Sequence, residues 1–188
     1  MKHQVLIFSL LCACGGGGDD GGGNGGAPAD FDDYFNQITG TGVTPVASLP
    51  VTGRYEYAGR VRLDLPIDGP AQQYQGLLEI SIGFDAGANP VLGSVSQLAN
   101  GQQVLVGVLQ IDSGVLNPHA QPAVDYQFFA GLDGNLDANG TIYVIDGTLA
   151  GDLYGPQWDG IAGLVFGDIT QGIIVDIFDG SFAGTLTP

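Results

Sequence analysis

Positive charge is nearly missing from this chain of 188 residues. Lys2, Arg54, Arg60 and Arg62 stand against 20 acidic residues, giving a formal net charge of -16. A surface of that sign repels nucleic acid and anionic lipid, which excludes a DNA or RNA partner and leaves room for a basic protein or a metal ion. Cysteine is confined to Cys12 and Cys14, so no disulfide framework staples the chain. Histidine is limited to His3 and His119, and Lys2 is the single lysine. No nucleophile is paired with a base, and acids this abundant make any carboxylate pair uninformative. The expectation is a protein that is not an enzyme and needs no cofactor. Also missing is an uninterrupted apolar run of about 20 residues, the length a membrane-crossing helix requires.

What the chain does contain is apolar surface and glycine. The hydrophobic fraction of 44% against a charged fraction of 13% calls for a packed core despite the high net charge. The 33 glycines follow no triplet period, which excludes collagen. Many of them punctuate β-branched and aromatic runs, the pattern of a many-stranded sheet protein.

Residues 1–13 have the anatomy of a secretion signal: a basic start at Lys2, an apolar stretch over residues 5–11 broken by Ser9, then small residues. Leu11-Cys12-Ala13-Cys14 resembles the lipobox of bacterial lipoproteins. The resemblance implies a covalent lipid on Cys14, attachment to a membrane through acyl chains, and sorting to an outer membrane, since Gly15 is not the Asp that retains such proteins at the inner one. Residues 15–29, glycine-rich with Asp19-Asp20, cannot bury apolar surface and are expected to form a flexible, disordered tether within a segment 14–50. Inside that segment, Phe31, Tyr34, Phe35 and Ile38 share one side of a short helix over residues 30–38, with Asp30 as its N-cap, closing one end of the main domain.

Residues 51–188 form the main domain. From Gly53 the hydrophobic period changes to two: Tyr55, Tyr57, Val61, Leu63 and Leu65 alternate with Arg54, Glu56, Arg60, Arg62 and Asp64. Further strands are expected at 78–84, 91–98, 104–111, 124–130, 141–149, 161–166 and 173–178, with a last one over 182–186 after an Asp179-Gly180 turn. Asn100-Gly101 is the type I′ hairpin signal. Eight or nine antiparallel strands without a convincing helix predict an all-β fold. A small eight-stranded soluble β-barrel is placed slightly ahead of a two-sheet sandwich, because closure removes exposed edges. A membrane-embedded barrel is the less favoured alternative, because several strands fall short of about 9 to 11 residues.

Gly151-Asp152-Leu153-Tyr154-Gly155-Pro156-Gln157-Trp158, Gly163 and the closing Ser181-Phe182-Ala183-Gly184 resemble the signature of the transferrin-binding protein B-like β-barrel superfamily. That resemblance implies a lipid-tethered barrel on a Gram-negative surface that captures a host protein. Trp158 stands where that family usually has a small residue and Gly160 where an acid is common. With one barrel and no second lobe, the scaffold carries over and transferrin capture does not.

The candidate sites are few. Arg54, Arg60 and Arg62 share one face of a strand, as a partner-contact strip or as wall salt bridges. Trp158 is a second contact candidate or a cap on a barrel end. Tyr154, Gly155 and Pro156 form a structural turn in which the Tyr154 hydroxyl ties the loop. Asp133, Asn135, Asp137 and Asn139 recur at every second residue like the start of a calcium loop, but Ala138 and Val144 replace its later elements, so a tight hydrophilic turn is preferred and no metal is expected. The functional expectation is binding of a protein or surface macromolecule. The alternatives are a lipocalin-like carrier of an apolar ligand inside the barrel, decided by whether a cavity exists, and an envelope spacer. Mass spectrometry of the native protein is expected to find Cys14 as a lipid-modified mature N-terminus; an unmodified Cys14 removes the anchor.

Overall fold

The computed structural model describes residues 30–85, 90–121 and 124–188. The expected signal, Cys14 and the expected glycine-rich tether lie outside the described residues. The chain runs α1 (Phe31–Thr39), a 3-10 turn (Val46–Ser48), β1 (Arg54–Leu65), β2 (Gln72–Gly83), β3 (Val91–Ala99), β4 (Val108–Leu116), β5 (Phe128–Ala138), β6 (Thr141–Tyr154), β7 (Gly160–Gln171) and β8 (Ile174–Leu186). The eight strands pair antiparallel in chain order and close as a barrel. The closing seam pairs β1 with β8 from Tyr57↔Leu186 to Asp64↔Asp179.

Alternation decides which side chains fill the barrel. Val61, Leu63, Leu78, Ile80, Leu132 and Phe182 point inward with essentially no exposure and belong to one core. Both ends are covered. At the end formed by the 139–140 and 172–173 turns, Ile67 and Leu105 are buried, the Tyr143 hydroxyl donates to Asp68 Oδ1 (2.9 Å) and Tyr74 donates to Gln103 Oε1 (2.7 Å). At the opposite, loop end, Leu49, Tyr55, Phe84, Trp158 and Leu186 pack onto the core. Among the described residues, no helix is long and apolar enough to cross a membrane.

Several sequence expectations need correction. The strand count is eight because β8 is continuous: Asp179-Gly180 lies inside it, and the chain reverses between Gln171 and Ile174, where Gly172 has φ +61°. Gly180 is there for close approach, since a Cβ on it would sit 2.2 Å from the Arg62 carbonyl oxygen. Asn100-Gly101 is not a type I′ turn. Gly101 alone of the pair has positive φ, and Asn100 Oδ1 instead accepts from Gln102 N (3.0 Å) and Gln103 N (2.7 Å). Asn139-Gly140 is the pair with φ positive at both residues, +54° and +89°, between Ala138 and Thr141. Val104 and Val106 make single bridges outside β4. Val124 and Tyr126 lie in a loop before β5.

The short helix forms as expected, with the Asp30 side chain accepting from Asp32 N (3.2 Å), but it does not close an end of the barrel. It lies on the outer wall, where Ile38 packs on Ala162 of β7 and Ala183 of β8. Parts of the segment 30–50 thus pack on the barrel that follows. Gly180→Val is expected to lower stability by about 2 kcal/mol or more through overpacking, read by urea denaturation. Gly101→Asn, with open space at φ +82°, should cost less than about 1 kcal/mol.

Candidate binding surfaces

The arginines of β1 face outward, as their alternation requires, and they interact within the protein. Arg54 Nη1 donates to Ser81 Oγ (2.8 Å), which in turn donates to Glu56 Oε1 (2.8 Å). Arg62 reaches Asp32 of α1 at 2.6 Å, and its guanidinium lies 4.6 Å from the centre of the Phe31 ring. Arg62 thus fastens α1 to the wall. Arg60 lines a shallow groove with Gln75, Leu77 and Gln97. The three cations are spread along the strand.

The turn after β6 is structural in a specific way. Gly155 has φ +86°, and a Cβ there would collide with Asp159. Its nitrogen donates to Gly42 O (3.0 Å), and its carbonyl accepts from Thr44 Oγ1 (2.6 Å). The hydroxyl that ties the loop belongs to Tyr57, which donates to Trp158 O (2.8 Å); burial pushes that phenol's pKa well up. Tyr154 instead packs beside Ile38 on the outer wall. The Trp158 ring meets Tyr55 edge-on, 6.0 Å between centroids, and caps the loop end.

Asp133, Asn135 and Asp137 are on β5, not in a turn. Alternate residues along a strand stand about 7 Å apart, too far to converge on one ion, and Asp137 Oδ1 accepts from Gly140 N (2.6 Å). Among the described residues, no group of three or more His, Cys, Asp or Glu side chains has metal-binding geometry. Asp133 does join a like-charged row. It pairs with Asp146 on β6, and Asp146 pairs with Asp168 on β7. Loss of hydration raises the Asp133 pKa, and the charges of Asp146 and Asp112 raise it further.

The surface that sequence reasoning missed is the outer wall of β4–β8 near the tight-turn end. Val106 (69% exposed), Val144, Ile174 (63%), Val175 and Ile177 (76%) face solvent there. Beside them is a cleft of about 540 Å³ lined by Asp64, Ala71, Phe166, Asp168, Ile177 and Asp179. Its apolar floor is framed by three carboxylates, and no cation lines it. One signal was present: residues 104–109 are apolar at every position except Gly107, so both faces of the wall had to carry hydrocarbon there.

No family model matches the chain, and no curated protein is detectably similar to it in sequence.

Loss of hydration raises the pKa values of Asp133 and Asp152, and neighbouring carboxylates add to the shift of Asp133. Their contribution to stability is therefore fully present below the unfolded-state value and is lost as pH rises through the raised one. The melting temperature is expected to climb as pH falls from neutral toward the usual carboxylate range. Asp133→Asn should flatten that climb in a differential scanning fluorimetry series.

Proposed function

We propose that this is a lipid-anchored outer-membrane surface protein whose barrel binds, on its outer wall, a protein partner that presents an apolar patch flanked by basic residues. The observation that carries this reading is the cleft of Phe166 and Ile177 framed by Asp64, Asp168 and Asp179. Exposed apolar surface of this kind marks an interaction site. The surrounding charge specifies the sign of what fits it. The lipobox-like residues ending at Cys14 and the glycine-rich stretch after it supply the anchor and tether, and the partial likeness to the transferrin-binding protein B-like superfamily points the same way. No catalytic role is proposed.

Two alternatives lose support. A carrier needs room inside the barrel, and the inward side chains leave almost no surface exposed to a water-sized probe. A lipid-embedded wall would place Arg60, Glu79, Asp112, Asp133, Asp146 and Asp168, all on strands and none of them buried, against hydrocarbon, where charges are penalised.

The test uses two labelled amphipathic peptides of one pattern, Leu/Lys and Leu/Glu, read by fluorescence anisotropy. The Leu/Lys peptide should bind and the Leu/Glu peptide should not. Ile177→Asp adds negative charge yet removes apolar contact, so it is expected to weaken binding about tenfold. If Ile177→Asp binds as well as or better than the parent, attraction is purely electrostatic and the proposed surface is wrong.

A further inference from the structure

A separate cavity at the loop end has the composition of a cation receptor. It measures about 380 Å³ and is lined by Val43, Val124, Asp125, Tyr126, Asp152 and Tyr154. Asp152 projects from the outer face of β6 but is only 8% exposed, because the 42–44 segment and the loop before β5 cover it. One of its oxygens accepts from the Gln127 backbone N–H (3.0 Å). Among the described residues, no donor reaches the other oxygen. That second oxygen keeps contact with solvent through the cavity, and a largely buried carboxylate with a single hydrogen bond gains when a cation or a proton joins it. The arginines cannot serve, since Arg54, Arg60 and Arg62 all belong to β1 and none lines the cavity.

The walls are fixed in advance. The Tyr126 ring is held edge-to-face by Phe129, with 6.1 Å between centroids and 88° between planes. Tyr154 is seated against the cluster of Ile38, Ala162 and Ala183. Behind them Gln127 is locked at both ends of its amide: Nε2 donates to Thr44 O (2.6 Å), and Oε1 accepts from Leu153 N (2.8 Å). Aromatic faces attract cations through their negative quadrupole, and a desolvated site strengthens that attraction. Asp125 adds a second negative charge at the mouth.

We infer that this cavity binds an organic ammonium group, with Asp152 as its counter-ion and Tyr126 and Tyr154 as its aromatic walls. A primary ammonium donates to the open Asp152 oxygen while its carbon stem lies on the rings. A quaternary ammonium uses the rings and the charge alone. The same chemistry is offered by a free amine and by a lysine side chain of a partner protein. This site is distinct from the Phe166 cleft and does not depend on the function proposed for it.

The test is calorimetric titration of the full chain with three probes: tetramethylammonium, N-acetyl-lysine methylamide and the neutral N-acetyl-norleucine methylamide. Sodium chloride at matched ionic strength is the background. Both cations are expected to bind with millimolar dissociation constants, and the neutral isostere should not. Tighter binding of the lysine probe assigns the site to a partner's side chain, and tighter binding of tetramethylammonium assigns it to a free amine. Asp152→Asn keeps an acceptor for Gln127 N and should weaken binding about tenfold, as should Tyr126→Leu on the exposed side. Glu79→Gln, on β2 across the barrel from β6, should leave it unchanged. Equal heats from the neutral probe, or parent-like binding by Asp152→Asn and Tyr126→Leu, overturn the inference.

Discussion

Closure of the barrel rests on how near the backbones of β1 and β8 come to each other. Gly59 stands opposite Gly184 in the seam, and a Cβ on Gly59 would lie 2.0 Å from the Ala183 carbonyl oxygen and 2.4 Å from the Gly184 Cα. Side chains at that crossing would hold the first and last strands apart. An open sheet would then expose two edges of unpaired N–H and C=O groups. It would also have no inside, because alternate residues become core only when the sheet curls back on itself. In a chain with no disulfide framework to share the load, that core is the main source of stability.

A filled interior has a consequence for everything else. Features available for recognition must sit on the outer wall or at the ends. The segment before β1 uses part of that wall: the small side chains of Ala162 and Ala183 let α1 lie close, and Arg62 clamps its first turn through Asp32 and Phe31. The chain then crosses to the turn after β6, where the fold places its buried polar side chains, Thr44, Gln127 and Asp152. They cluster there because three segments distant in sequence meet without a regular ladder. Side chains must then satisfy the backbone groups that pairing leaves open.

Sequence reading worked where the contrast between the two faces of a strand was strong. Residues 54–65 alternate hydrocarbon and charge, and β1 appears with those bounds. The pattern blurs where the outward residues are aliphatic too, over 104–109 and 173–178. Strand limits drifted there, and the exposed face went unseen. Turn dipeptides misled for a different reason. Asp179-Gly180 has turn chemistry locally, but Gly180 is claimed by its contact with Arg62 and Leu63 across the seam, and register overrides local preference. The Asp133–Asn139 pattern was ambiguous from the start, because oxygens at every second residue describe a calcium loop and the outward face of a strand equally well. The loop-end cavity left no local trace. Its walls come from positions 43, 124–126, 152 and 154, and only the folded chain brings them together.

Exposed hydrocarbon ordinarily invites self-association, and the Val144–Ile177 face is bare enough to do so. The aspartates beside it change that balance. Asp133, Asp146 and Asp168 stand abreast on neighbouring strands, and Asp179 faces Asp64 across the seam. Two copies meeting through this wall would bring those rows together at the moment water is excluded, when repulsion between like charges grows. Desolvation already raises the Asp133 pKa in the isolated chain, so further burial without a cation is unfavourable. On the proposed reading, the same rows that repel a second copy attract a basic surface, and the aliphatic side chains then supply contact that charge alone does not. Attraction and exclusion come from one set of carboxylates, and a surface built this way discriminates by sign before it discriminates by shape.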